Sequence, residues 1–202
     1  MSSIATSVPY VNFPAQYEQE KAEIHACVER VFSKGDFIGG KSVGELEEQL
    51  ASYCGVKHVI AVNSGTDALV LALRALGIGP GDEVITPPNS FVASTAAIVQ
   101  AGATPVFADV LADQNINPEA VEAVITPKTR AVMAVHLTGR LAQVEALLEI
   151  TKKYDLVLLE DAAQAIGSRL NGKASGSFGK VGCFSTHPLK NFNAAGDGGF
   201  LT

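Results

Sequence analysis

The sequence predicts an α/β fold, a mostly parallel central sheet with helices on both faces. Two observations predict it. Short apolar stretches alternate with helical stretches along most of the 202 residues. The apolar stretches are also near-continuous, as strands covered on both sides are, and repeated strand–helix alternation favours parallel pairing.

Taken in order, Glu18 to Phe32 carries Ile24, Val28, Val31 and Phe32 at helical spacing. Gly35-Asp36-Phe37-Ile38-Gly39-Gly40 ends that helix, because glycine disfavours a helix interior. A second helix, Val43 to Tyr53, is expected to bury Leu46 and Leu50. From there strands are expected at His58 to Val62, Glu83 to Thr86, Pro105 to Asp109, Ala131 to His136 and Leu156 to Glu160. Helices are expected at Asp67 to Leu76, Val92 to Ala101 and Val144 to Tyr154, with one more opening at Asn117-Pro118 and ending before Pro127. Asn117 suits a cap and Pro118 the first helical position. Residues 1–40 are expected to be an N-terminal helix and connecting segment, and residues 41–202 a larger domain.

Composition narrows the function. Hydrophobic residues make up 47% and charged residues 18% of the chain, and no apolar run approaches the roughly 18 residues of a membrane helix. Met1 to Tyr10 carries no charged side chain and no long apolar stretch, so it does not read as a secretory signal. The net charge is −6 with both signs interleaved, which leaves no basic face for a nucleic acid. Cys27, Cys54 and Cys183 lie far apart without metal-ligand spacing, so no metal is expected. They read as reduced, partly buried thiols of a cytoplasmic protein.

In a parallel sheet, ligands bind beyond the carboxyl ends of the strands. Those ends carry Asn63-Ser64-Gly65-Thr66, Pro87 to Phe91, Asp109, His136 and Asp161, which could meet around one site. Ser64-Gly65-Thr66-Asp67 opens a helix, where free N–H groups and the helix dipole favour a phosphate. It is neither a dinucleotide glycine motif nor a Walker motif. Asp161 could hold a cationic nitrogen, or simply cap a turn. Lys190 stands among glycines and small residues, where shielding from bulk water would favour a nucleophilic amine.

The succession GTDAL, GDEVITP, EDAAQA, FSxHPLKN and GDGG, with Ile38-Gly39-Gly40 and Val135-His136-Leu137-Thr138-Gly139, resembles the DegT/DnrJ/EryC1/StrS family of sugar aminotransferases. The resemblance runs from Phe37 to Thr202 in the family's order. It implies the type I aminotransferase fold, a homodimer with sites at the subunit boundary, and pyridoxal 5′-phosphate as cofactor. By the same resemblance Lys190 is the Schiff-base lysine and general acid/base, and Asp161 pairs with the pyridinium nitrogen. Gln164 contacts the ring hydroxyl, Gly65, Thr66 and Ser185 contact the phosphate, and Phe91 stacks on the ring. Residues 41–202 would then be the cofactor-binding large domain. The implied reaction moves an amino group, from glutamate, to a nucleotide-linked keto sugar. His136 and His187 are assigned supporting roles. Thr186 departs from the family's aromatic residue after the serine.

Three alternatives stand beside this reading: a related sugar dehydratase, a non-catalytic regulatory relative, and an inactive fragment. The dehydratase relatives carry histidine at the lysine position, so Lys190 argues against the first. Gly198 to Thr202 reads as a strand that opens as the chain stops. The expectation is therefore a large domain truncated at its C-terminal end, with the small domain absent and the last strand unpaired and uncovered.

Overall fold

The structure, a computed structural model, describes residues 10–202, so the reading of the first ten residues lies, Tyr10 apart, outside the described residues. The chain divides into two compact units, one up to Glu45 and one from Leu46 to Thr202. The first holds α1 (Phe13–Phe32), which starts five residues earlier than its hydrophobic spacing suggests. Asn12 explains the early start: its side chain accepts a hydrogen bond from the Ala15 N–H at 3.3 Å, and Pro14 sits in the first turn. Helix α2 (Lys41–Cys54) begins in this unit and ends in the next.

The second unit is the α/β body. Its strands are β1 (Ile60–Val62), β2 (Glu83–Thr86), β3 (Thr104–Phe107), β4 (Thr129–Val135), β5 (Val157–Asp161), β6 (Arg169–Leu170), β7 (Lys173–Ala174), β8 (Val181–Ser185) and β9 (Gly199–Leu201). Its helices after α2 are α3 (Gly65–Ala75), α4 (Val92–Gln100), α5 (Pro118–Ala123) and α6 (Val144–Lys153). Seven strands form one sheet in the order β1-β9-β8-β5-β4-β2-β3, while β6 and β7 make a separate hairpin. Within the seven-stranded sheet the pairs β2–β3, β2–β4, β4–β5 and β5–β8 are parallel and the two pairs made by β9 are antiparallel.

Strand alternation sorts the core into two layers. Val84, Ala131, Met133, Leu159 and Cys183 face one side, where Leu69 and Leu73 of α3 and Ala97 and Ile98 of α4 cover them. Ile85, Val132, Ala134 and Leu158 face the other side, against Val121 of α5 and Leu147 of α6. Further along that second face, Phe184 and Phe200 pack with Leu50 and Cys54 of α2. Helices on both faces and a mostly parallel sheet are what the strand–helix alternation predicts.

Three expectations need correction. The last strand is not an open edge: β9 is hydrogen-bonded to β1 on one side and β8 on the other. Phe200 is 1% exposed and stacks on Phe184 with ring centroids 4.4 Å apart, so the strand is covered as well as paired. The edges are β1 and β3. One edge amide of β1, the Ala61 N–H, donates to Glu47 Oε1 at 2.8 Å. Second, Leu46 is not buried; it is 40% exposed, because α2 enters the core through Leu50, Ala51 and Cys54, further along the helix. Third, Val181 to Ser185 is a strand, and the hairpin of β6 and β7 precedes it. Smaller shifts affect several ends; β5, for example, runs one residue further than expected, to include Asp161.

Of the three thiols, Cys27 is exposed and Cys54 and Cys183 are buried, all three free. Burial pushes the Cys54 thiol up, and it pushes Cys183 well up.

Phe200→Ala should lower unfolding free energy by about 3–5 kcal/mol, the usual cost of emptying a buried aromatic site. Leu46→Ala should cost less than about 1 kcal/mol. Urea unfolding of the two variants side by side checks this. Equal costs would contradict the interior placement of β9.

Candidate active site

The carboxyl end of β5 holds two adjacent carboxylates, Glu160 and Asp161, which strand alternation sends to opposite faces of the sheet. Glu160 is fully buried on the α5/α6 face. Its Oε2 accepts from the Gly176 N–H at 2.8 Å and meets His136 Nε2 at 2.9 Å. Its Oε1 accepts from Phe178 N–H at 2.7 Å and Gly179 N–H at 2.6 Å. His136 Nδ1 accepts from the Ala142 N–H at 3.2 Å, so the ring proton is on Nε2 and points at Glu160. Burial pushes the Glu160 carboxyl up, but the His136 hydrogen bond and the amides of Gly179 and Gly176 outweigh it, so the carboxyl lies below its ordinary range. His136 is thereby a structural residue, and Glu160 is the clasp of the segment Gly176–Gly179.

Asp161 faces the α3/α4 layer and is buried. Backbone pairing fixes it between Val135 of β4 and Cys183 of β8. Its Oδ2 accepts from Ser94 Oγ at 2.7 Å, and its Oδ1 accepts from the Ala163 N–H at 3.2 Å. Ser94 lies one turn into α4, which Phe91 caps. The Phe91 ring is 68% exposed and available to a flat ligand.

The phosphate-type cradle forms where α3 starts. Ser64 caps the helix: its Oγ accepts from the Asp67 N–H at 3.0 Å and donates to Asp67 Oδ2 at 2.9 Å. The N–H groups of Gly65 and Thr66 have no acceptor among the described residues. Gly65 is required by a close approach, since a Cβ there would lie 2.6 Å from Ser185 Cβ at the end of β8. Gly199 is required likewise, with Ser64 carbonyl atoms 2.6 Å from where its Cβ would be. The glycines thus let α3 press its N-terminus against the ends of β8 and β9. Ser185 Oγ accepts from the His187 N–H at 3.2 Å, which leaves its own proton for a ligand.

Lys190 follows β8 in a loop tied down at several points. Its N–H donates to the His187 carbonyl at 2.8 Å, and Leu189 N–H donates to His187 Nδ1 at 3.1 Å. Asn191 Nδ2 reaches back to the Ile166 carbonyl at 3.1 Å, joining this loop to the turn after β5. The Lys190 side chain is half-buried rather than fully shielded from water. Its Nζ has no hydrogen bond or ion pair among the described residues. On the turn after β5, Gln164 Oε1 accepts from the Thr138 N–H at 2.7 Å. That fixes the amide so that Nε2 remains as a donor.

The structure therefore brings Gly65 against Ser185, puts Asp161 on the next strand to Ser185, and ties the helix of Phe91 to Asp161 through Ser94. Thr66, Gln164 and Lys190 stand on the segments that leave the same strand ends. Asp109 does not join them; it is exposed two residues past the end of edge strand β3, and its Oδ1 accepts from its neighbour Val110 N–H at 2.8 Å. Glu160 and Ser94 are the residues that motif reading passed over. Glu160 was legible as the residue beside Asp161 that alternation must bury on the other face. Ser94 was legible as a lone hydroxyl three and four residues before buried Ala97 and Ile98.

The sequence profile of the DegT/DnrJ/EryC1/StrS aminotransferase family matches residues 18–202. A pleiotropic regulatory protein of Geobacillus stearothermophilus is 45% identical over 196 residues, covering 96% of this chain and 53% of that protein. A UDP-N-acetyl-3-dehydro-alpha-D-glucosamine 3-aminotransferase of Acidithiobacillus ferrooxidans is 44% identical over 199 residues, covering 97% and 53%. A crystal structure of DesV of S. venezuelae, in complex with a ketimine intermediate, superposes with a TM-score of 0.94 at 44% identity, covering 96% of this chain and 53% of that one. The chain spans about half the length of the curated relatives it matches.

Because the Glu160 carboxyl is held below its ordinary value, the stability it contributes is fully present above the unfolded value of about 4.3. It is lost as pH falls through the lower folded value. Glu160→Gln should destabilise the protein at pH 7 by about 2–4 kcal/mol, from amides left facing a donor. The gap to wild type should narrow below about pH 4.3. Urea unfolding across pH 3–7 measures both, and a gap that widens toward acid would contradict the assignment.

Proposed function

The chain belongs to the DegT/DnrJ/EryC1/StrS aminotransferase family, and from that premise we propose that the protein uses pyridoxal 5′-phosphate to move an amino group from glutamate to a keto sugar carried on a nucleotide diphosphate. The observation that carries this reading is a balance of groups at the strand ends. The N–H groups of Gly65 and Thr66, the Ser185 hydroxyl, Gln164 Nε2 and Lys190 Nζ are all donors with no acceptor among the described residues. Asp161 is the acidic acceptor among them. A ligand with a dianionic phosphate, a phenolic oxygen, an aldehyde and one ring N–H fits that set group for group.

In this reading the α3 N-terminus and Ser185 hold the phosphate, where the helix dipole favours negative charge. Asp161 holds the ring N–H, Gln164 Nε2 donates to the phenolic oxygen, and Phe91 covers a ring face. When bound, the cofactor supplies an aldehyde that condenses with amines and a ring that takes up electrons from the neighbouring carbon. Lys190 Nζ would hold the aldehyde carbon when no amino donor is bound. Freed by a donor, the same Nζ would take a proton from the donor carbon that bears the nitrogen and deliver it to the cofactor carbon on the other side of that nitrogen.

The nucleotide-sugar acceptor takes support from the aminotransferase of Acidithiobacillus ferrooxidans, named for such a substrate. A homodimer is proposed on family grounds, and a cytoplasmic location on the three free thiols. Among the described residues no helix is long and apolar enough to cross a membrane. A regulatory role is the competing reading, favoured by the name of the Geobacillus stearothermophilus relative. The acceptor Asp161 and the donors around it speak for chemistry.

Borohydride reduction of the full-length protein loaded with pyridoxal 5′-phosphate, followed by peptide mapping, should place the label on Lys190. Label on another lysine, or none despite bound cofactor, would overturn the assignment. Incubation with glutamate should then convert the cofactor to its amine form, and a purely regulatory protein would not do this.

A further inference from the structure

Ser94 is 1% exposed on a helix face it shares with Ala97 and Ile98, both fully buried against the sheet. A hydroxyl in that setting costs free energy unless it is paired. Its acceptor is Asp161 Oδ2, 67 residues along the chain and 2.7 Å away. That length is typical of a hydroxyl donating to a carboxylate. The Asp161 side chain can still rotate about two bonds, and the Ala163 N–H at 3.2 Å on Oδ1 is the one other donor to it among the described residues. Without Ser94 the carboxylate would be held at one oxygen only.

We infer that Ser94 is a positioning residue: it orients the Asp161 carboxylate toward the ring nitrogen and couples that carboxylate to the helix that carries Phe91. The inference rests on the proposed role of Asp161. Two contacts with one flat ligand, at its edge and on its face, are thereby set by a single hydrogen bond between α4 and β5. Ser94 is sealed from solvent and its hydroxyl is bonded to Asp161, so it acts through Asp161 alone. A change at Ser94 should accordingly have no effect on the ligand once Asp161 is gone.

A double-mutant cycle tests this, read as the dissociation constant of pyridoxal 5′-phosphate by fluorescence titration of the full-length protein. Ser94→Ala should weaken binding about 10- to 150-fold, the range of one lost hydrogen bond to a charged group. It should also shift the absorption maximum of the bound cofactor in the direction that Asp161→Ala shifts it. In the Asp161→Ala background, Ser94→Ala should change binding less than about 2-fold, since coupled residues are non-additive. Ser94→Cys fills the same space with a weak donor and should resemble Ala rather than wild type. Wild-type affinity in Ser94→Ala, an equal loss with and without Asp161, or wild-type behaviour of Ser94→Cys would each overturn the inference. Should wild type take up no cofactor, or Asp161→Ala bind it as wild type does, the proposed function and this inference fall together.

Discussion

Alternation at the end of β5 is the constraint on which the rest of this architecture depends. Two carboxylates in sequence, Glu160 and Asp161, cannot point the same way from a strand. One is consumed inside the protein, clasping Gly176, Phe178 and Gly179 and receiving the His136 ring proton. The other emerges on the α3/α4 face, where Ser94 meets it. The buried carboxylate is satisfied by four donors, which is why it can lie in the core without neutralising. The division of labour is geometric, and a shift of one residue in register would exchange the two roles.

Around that point the sheet is assembled so that chain segments distant in sequence end side by side. Parallel pairing of β4, β5 and β8 brings their carboxyl ends to one edge of the layer. Antiparallel β9 enters between β8 and β1 and brings Gly199 beneath Ser64. Glycine at 65 and 199 then permits helix and strand ends to approach more closely than any side chain would allow. The N–H groups of Gly65 and Thr66 beside Ser185, without an acceptor among the described residues, are the product of that approach.

Much of this was legible in the sequence. Strand–helix alternation gave the layers, Asn117-Pro118 marked the start of α5, and the polar residues after each strand pointed to the functional edge. Where reading failed, the missing information was tertiary. Leu46 has the spacing of a core residue, but the buried apolar side chains of α2 are Leu50 and Cys54, nearer its far end. Gly198 to Thr202 looked like an unfinished edge because nothing local says that β9 inserts between two strands already made. Val181 to Ser185 is a short strand whose apolar pattern is interrupted by Gly182 and ends in polar Ser185, so its local signal is weak. Asp109 and His136 occupy the same kind of position as Asp161, yet one binds its own turn and the other serves Glu160. Only the partners decide.

The central claim is that Asp161 is the anionic partner of a protonated ring nitrogen. Nitrogen-15 NMR of the full-length protein loaded with ring-labelled pyridoxal 5′-phosphate tests it most directly. The account predicts a ring nitrogen in the protonated range in wild type that moves to the unprotonated range in Asp161→Ala. An unprotonated nitrogen in wild type, or a protonated one that persists without Asp161, would contradict it.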